Sequence, residues 1–247
     1  MKKCVGILVV LMFLLSASVV LGVPITEGLF EGWESTPIGK YTFSTDKPVI
    51  IEGDMCTWVA FDTAASLHEE CEGLNNIEVI ETNQGKYLRL VSRHDETLGN
   101  KYHYKENVNI GSIESFEDFV LTRDSSISFE ARTDIDWSVI DVDYPLSPIK
   151  FGVRIKGKVE GREKTYAIAY WFLPDPAWEI RGKGDWWGRR TRGYIILPGP
   201  GPKYQRNFVE DFMERYPYLK LDGAVLSFIY FELQTAGYLE LDNICIE

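Results

Sequence analysis

The chain has 247 residues, of which 45% are hydrophobic and 26% charged. That composition supports a large buried core and argues against disorder. Acidic residues outnumber basic ones by 37 to 26, for a formal charge of −11. A duplex-DNA binder needs clustered Lys and Arg, so a nucleic-acid partner is not expected.

Met1, Lys2 and Lys3 form a short positive start, and residues 4–23 carry no charge. This is the pattern of an export signal, read as residues 1–22. A cut after Gly22 places Val20 and Gly22 at the small-side-chain positions; a cut after Ser18, with Ser16 before it, is the alternative. The rival reading is an uncleaved anchor, since an uncharged run of this length just spans a bilayer. The expected location is secreted or cell-surface, with no membrane insertion once the signal is removed.

Most of the remaining chain reads as strands. Ile77-Glu78-Val79-Ile80-Glu81, the turn Asn83-Gln84-Gly85 and Tyr87-Leu88-Arg89-Leu90-Val91 form a hairpin by alternation and turn chemistry. Residues 126–132 alternate apolar and polar. Residues 151–159 and 165–172 flank Glu160-Gly161-Arg162-Glu163 as a second hairpin. Residues 194–197 form a short strand before Pro198-Gly199-Pro200-Gly201-Pro202. Residues 224–233 and 238–246 close the chain around Ala236-Gly237. Helix signals are few. Asn207 with Glu210 makes a capping-box-like start, Phe208, Val209, Phe212, Met213 and Tyr216 share one helical face, and Pro217 stops it. Residues 62–71, ending at Gly73, read as a second helix. The expectation is an all-β fold over residues 23–247, a single β-sandwich domain of two antiparallel sheets with one or two short helices.

Beyond the signal, the cysteines are Cys56, Cys71 and Cys245. Export permits disulfides, and a Cys56–Cys71 bridge would close a short loop worth about 3 kcal/mol by the chain-entropy model. The alternative is that all three are small buried hydrophobes. No Cys-x-x-Cys pair is present, so a structural zinc site is not expected.

The segment Leu29-Phe30-Glu31-Gly32-Trp33 near the start and Leu239-Glu240-Leu241-Asp242-Asn243-Ile244 near the end resemble the first and last strands of jelly-roll carbohydrate-binding modules and related concanavalin-like sandwiches of secreted glycan-active proteins. Residues 126–130 look like their usual inner strand. The resemblance implies a jelly roll, a polysaccharide or glycan partner, and a structural calcium held by Glu31 and Asp242 with backbone carbonyls completing the shell. The plain alternative is a solvated Glu31 and an Asp242 that makes a turn hydrogen bond.

Sugars offer flat C–H faces and rings of hydroxyls, which aromatic planes and nearby polar groups match. Trp178, Trp186 and Trp187 lie among Pro, Gly and charged residues rather than in an alternating strand. With Tyr194 they form the expected ligand surface, and Asp185 and Arg192 are its polar partners. Arg189, Arg190 and Arg192 add a positive patch suited to an acidic glycan. Trp137, in an acidic loop, is a second candidate; Trp58 and Trp171 read as core.

A glycosidase needs two carboxylates across the scissile bond. Glu130, Glu179, Glu232 and Glu240 sit on or beside strands, and a pairing of Glu130 with Glu232 or Glu179 is the enzymatic expectation. A lyase would use Tyr102, His103 and Tyr104 with Arg93 and His94, although these also read as flanks of a polar turn at Gly99-Asn100. No catalytic-zinc, Gly-x-Ser-x-Gly or phosphate-loop pattern occurs. The first functional expectation is therefore a secreted, non-catalytic carbohydrate-binding protein that uses surface aromatics. A glycoside hydrolase or polysaccharide lyase on the same fold is the alternative, and a cell-surface structural or adhesion domain is a third reading.

Overall fold

The computed structural model describes residues 33–44, 46–54, 56–62, 65, 69–93, 108–112, 116–135, 149–159, 161–173, 191–198 and 201–247. The expected signal peptide, Glu31, His94, Tyr102, His103, Tyr104, Trp137, Trp178, Glu179, Asp185, Trp186 and Trp187 lie outside the described residues.

The strands, in chain order, are β1 (Gly39–Thr42), β2 (Val49–Glu52), β3 (Thr57–Asp62), β4 (Asn76–Thr82), β5 (Gly85–Ser92), β6 (Val108–Ser112), β7 (Phe116–Val120), β8 (Ile127–Ile135), β9 (Ile149–Val159), β10 (Arg162–Leu173), β11 (Thr191–Pro198), β12 (Tyr204–Arg206), β13 (Val225–Leu233) and β14 (Gly237–Ile246). One α-helix, α1 (Phe208–Arg215), lies between β12 and β13. The strands form two sheets. The small sheet runs β1-β4-β5-β14-β8-β12, and the large sheet runs β11-β10-β9-β13-β6-β3-β2 with β7 paired to β13. All pairings are antiparallel except β10 with β11, which is parallel. The protein is an all-β jelly-roll sandwich.

Local chemistry sets the hairpins. The β4–β5 turn ends on Gly85 at φ +120°, a conformation that side chains other than glycine rarely adopt. Thr82 Oγ1 accepts from Gln84 N–H and donates to Gly85 C=O, each at 3.1 Å. Gly161, at φ +77°, does the same work between β9 and β10. Asn207 caps α1, its Oδ1 accepting from Glu210 N–H at 2.9 Å. Phe208, Val209, Phe212 and Tyr216 are buried on the expected face.

Between the sheets lies an aromatic core. Phe129 of β8 meets Phe151 of β9 at 5.3 Å and Phe231 of β13 at 5.1 Å between ring centroids. Trp58 packs on Trp33 and Phe231 at 5.9 and 6.2 Å, so its core role is confirmed. At one end Asp211 of α1 receives Tyr170 Oη at 2.7 Å and a two-pronged contact from Arg206 at 2.7 and 2.5 Å. This ties the helix and β12 to β10.

The last two strands divide between the layers. β13 sits inside the large sheet, between β9 and β6, while β14 sits inside the small sheet, between β5 and β8. They are joined by the few residues between Leu233 and Gly237.

One expectation changes here. Within the expected second helix, Asp62 instead closes β3 and accepts Ala65 N–H at 2.8 Å; Ala65 is helical, and Glu69–Cys71 is a 3-10 turn. The two cysteines expected to bridge, Cys56 and Cys71, are both buried, and Cys56 Sγ donates to Thr57 C=O at 3.3 Å.

Candidate functional site

In β13, Ile229, Phe231 and Leu233 point into the core, so Tyr230 and Glu232 point to the opposite, outer face of the large sheet. In β9, Ile149, Phe151, Val153 and Ile155 are core, which turns Lys150, Gly152 and Arg154 outward. Glu232 and Lys150 are directly opposed in register. Lys150 Nζ lies 3.5 Å from Glu232 Oε2, and Gln234 Nε2 donates to the other carboxylate oxygen. Although they face outward, Lys150 is only 2% exposed and Glu232 5%. Two charged groups are thus shielded from solvent on a sheet face, a costly arrangement unless they are paired. Burial pulls the Lys150 ammonium pKa down, opposed by the attraction of Glu232. Burial, and then the Glu232 charge, push the Tyr230 phenol upward, so it remains a hydrogen-bond donor at neutral pH.

Two glycines shape the floor. A side chain at Gly152 would collide with the Tyr230 ring, and one at Gly111 would collide with Phe228. The aromatic rings therefore lie flat over bare backbone. The Phe228 and Tyr230 ring centroids are 5.9 Å apart with their planes inclined by 30°, and the Arg154 guanidinium is 4.8 Å from the Phe228 ring.

Register carries this site sideways. Tyr230 is opposite Gly152, Gly152 opposite Ala169, and Ala169 opposite Tyr194. At about 4.8 Å per strand, the Tyr194 backbone is roughly 14 Å from that of Tyr230. Tyr194 and Arg192, both on β11, therefore share the large sheet with Glu232.

The other expected carboxylates do not join them. On β8, Phe129 and Ala131 are core, so Glu130 points out from the small sheet, where it pairs with Lys203 at 3.1 Å. Glu130 and Glu232 thus face opposite sides of the sandwich and cannot flank one glycosidic bond, which corrects that expected pair. Glu240 is also on the small sheet's outer face, in a cross-strand row of alternating charge: Lys40, Glu78, Arg89, Glu240 and Arg132 on β1, β4, β5, β14 and β8. Arg89 contacts Glu240 at 2.5 and 3.0 Å and Glu78 at 3.8 Å.

Asp242 faces the same side, directly opposite Glu130. Its Oδ1 accepts Asn243 N–H at 2.8 Å, the turn hydrogen bond expected as the alternative to a metal role. Burial raises its pKa; the Asn243 hydrogen bond opposes this, while Glu130 and Glu34 add to it. A shallow hollow beside it is lined by Tyr87, Glu130, Arg132 and Asn243. Among the described residues no three His, Cys, Asp or Glu side chains converge as a metal site. Glu31, the expected second ligand of the calcium, lies outside the described residues.

Lys150 and Tyr230 were not expected from the sequence. The available signal was Gly152 and Gly111, isolated glycines inside strands, which mark a close approach to backbone.

No family model matches the chain, and no curated protein matches it. Among solved structures, the chain is similar to a family 12 xyloglucanase from Bacillus licheniformis at 8% identity and TM-score 0.48, covering 84% of this chain and 98% of that one. It is similar to endoglucanase 3 of Trichoderma harzianum, from family 12, at 9% identity and TM-score 0.46, covering 85% and 97%. A family 11 xylanase from Neocallimastix patriciarum gives 9% identity and TM-score 0.44, covering 85% and 99%. At these identities the likeness is one of fold. The expectation of a non-catalytic binder is corrected here: these neighbours are glycan hydrolases. In addition, what the described part of the large sheet shields on its outer face is a carboxylate beside a lysine.

Proposed function

We propose that this protein is an exported glycoside hydrolase whose reaction centre is the outer face of the large sheet around Glu232. The observation that supports it is the shielded Glu232–Lys150 pair on a sheet face, beside two aromatic rings. Buried, charge-coupled groups of this kind cluster at functional sites.

In this reading Glu232 is one of the two carboxylates that glycoside hydrolysis requires. Lys150 holds its charge and Gln234 fixes its orientation. Tyr230 donates a hydrogen bond to a sugar hydroxyl, and the Phe228–Tyr230 pair offers an apolar plane to a pyranose ring. Glu179, which follows β10 by six residues in the sequence, is the proposed second carboxylate. Export rests on the uncharged segment behind Lys2 and Lys3.

The test is release of reducing ends from a panel of polysaccharides by the full chain, with Glu232→Gln as the control. The variant should lose activity by about a hundredfold or more while keeping a cooperative melt. Hydrolysis at the wild-type rate by Glu232→Gln, or no release from any polymer, would overturn the proposal. Release of unsaturated ends instead would reassign the site to elimination.

A further inference from the structure

The outward positions of β9 read Lys150, Gly152, Arg154, Lys156 and Lys158. Arg154, Lys156 and Lys158 are exposed. Three solvent-facing cations follow one another on alternate residues, about 7 Å apart, in a chain whose formal charge is −11. Like charges at this spacing repel, so the stripe does not help the strand to form. Edge protection does not account for it either. Lysines on edge strands discourage edge-to-edge pairing, but β9 is paired on both sides, with β10 and with β13.

Nor do ion pairs within the fold account for the cations. In register, Arg154 faces Ala167 and Phe228, and Lys156 faces Thr165 and Val225. Only Lys158 has an acid opposite, Glu163, itself exposed. Among the described residues no ion pair joins Arg154, Lys156 or Lys158 to a carboxylate. At one end the stripe runs into the Phe228–Tyr230 plane, with the Arg154 guanidinium already over Phe228.

From this geometry we infer that the large sheet takes an anionic polysaccharide, one that bears carboxylate or sulfate groups along its chain, with Arg154 and Lys156 binding the anions. A neutral glycan has no use for unpaired cations in line with a stacking surface, whereas a uronate- or sulfate-bearing chain offers an apolar ring face and a charge at regular intervals. Arg154 binds such a group two-pronged, and Lys156 binds it as a point charge. The inference rests on the proposed reaction centre for the cleavage it predicts, but binding can be tested separately.

The experiment uses the full chain. Retention in affinity electrophoresis and release of reducing ends are measured on unsubstituted xylan, mixed-linkage glucan, polygalacturonate, alginate, dextran sulfate and duplex DNA, at low and high salt. Wild type is compared with Arg154→Gln/Lys156→Gln and with Lys156→Gln/Lys158→Gln. Both variants change exposed residues and should melt like wild type. The expected result is retention on the anionic polymers that weakens with salt and falls roughly tenfold or more in Arg154→Gln/Lys156→Gln, as for the loss of two charge-assisted contacts. Retention on uronates alone or sulfates alone supports the inference and names the anion. Cleavage of neutral polymers without retention on anionic ones overturns it and leaves the hydrolase reading standing. Salt-sensitive retention on anionic polymers without cleavage of any polymer supports it and overturns the hydrolase reading. Equal retention of wild type and variants, or equal retention on DNA, overturns it.

Discussion

The two outer faces of this sandwich handle charge in opposite ways. On the small sheet, Lys40, Glu78, Arg89, Glu240 and Arg132 alternate in sign across five strands, and most of the row reaches solvent. Each charge has a neighbour of opposite sign, so the charges of the row largely offset one another. On the large sheet, one pair, Lys150 and Glu232, is shielded from solvent, while Arg154 and Lys156 stand beyond it with no acid opposite them in register, and only Lys158 faces one, Glu163. A charge network that satisfies itself serves the fold. One that is buried at one point and unmatched at the next is arranged for something outside the fold.

Removing half of each network should separate the two faces. The largest effect is expected from Lys150→Met, which leaves the Glu232 charge in its shielded site. Breaking one side of a buried pair costs about 3–5 kcal/mol, roughly 10 °C in Tm for a chain of this size. Added salt should hardly change the loss, because buried charges are poorly screened. The double variant Lys150→Met/Glu232→Gln should recover much of it. A loss under 1 kcal/mol, read from thermal melts, would mean that Glu232 is not shielded as described.

A smaller change follows from Arg89→Ala on the opposite face. Arg89 bonds Glu240 and touches Glu78, and its own side chain is about a quarter exposed. The expected cost is about 1–2 kcal/mol, and it should shrink in high salt. If the Arg89 loss were salt-independent and the Lys150 loss salt-dependent, the contrast between the faces would be reversed.

The smallest effect is at Asp242. Burial raises its pKa, with Glu130 and Glu34 contributing, so the native state holds this proton more tightly than the unfolded chain does. Stability from this group therefore falls as pH rises from the unfolded carboxylate pKa through the raised folded value. Asp242→Asn keeps an acceptor for Asn243 N–H and removes the like-charge pair with Glu130. It should raise Tm at neutral pH by about 1–3 °C, and the gain should vanish in acid below the ordinary carboxylate range. A melting series across that range checks both the sign and the window.

The strands were legible because alternation and turns are local. The 77–91 and 151–172 hairpins form as expected around Gly85 and Gly161, and Asn207 caps α1 through Glu210. The site was legible only in part. Glu232 could be placed opposite Phe231 by alternation, and it does face away from the core. That Glu130 faces the other side of the sandwich depends on which sheet β8 joins, a long-range pairing that period-2 patterning does not encode. The burial of Lys150 was not legible either: alternation turns it away from Ile149 and Phe151, but whether an outward residue meets water depends on what covers the sheet.

The hairpin of β13 and β14 places one strand in the middle of each sheet. β13 fits between β9 and β6, and β14 between β5 and β8, so both layers are completed by strands that come after all their partners in the sequence. Until those strands dock, each sheet is split in two, with unpaired edges on β5, β6, β8 and β9. Long-range pairing of this sort slows folding and leaves sticky edges available meanwhile. A chain stalled or clipped before Val225 would lose both layers together, so maturation of this protein depends on the β13–β14 hairpin arriving before those edges find another partner.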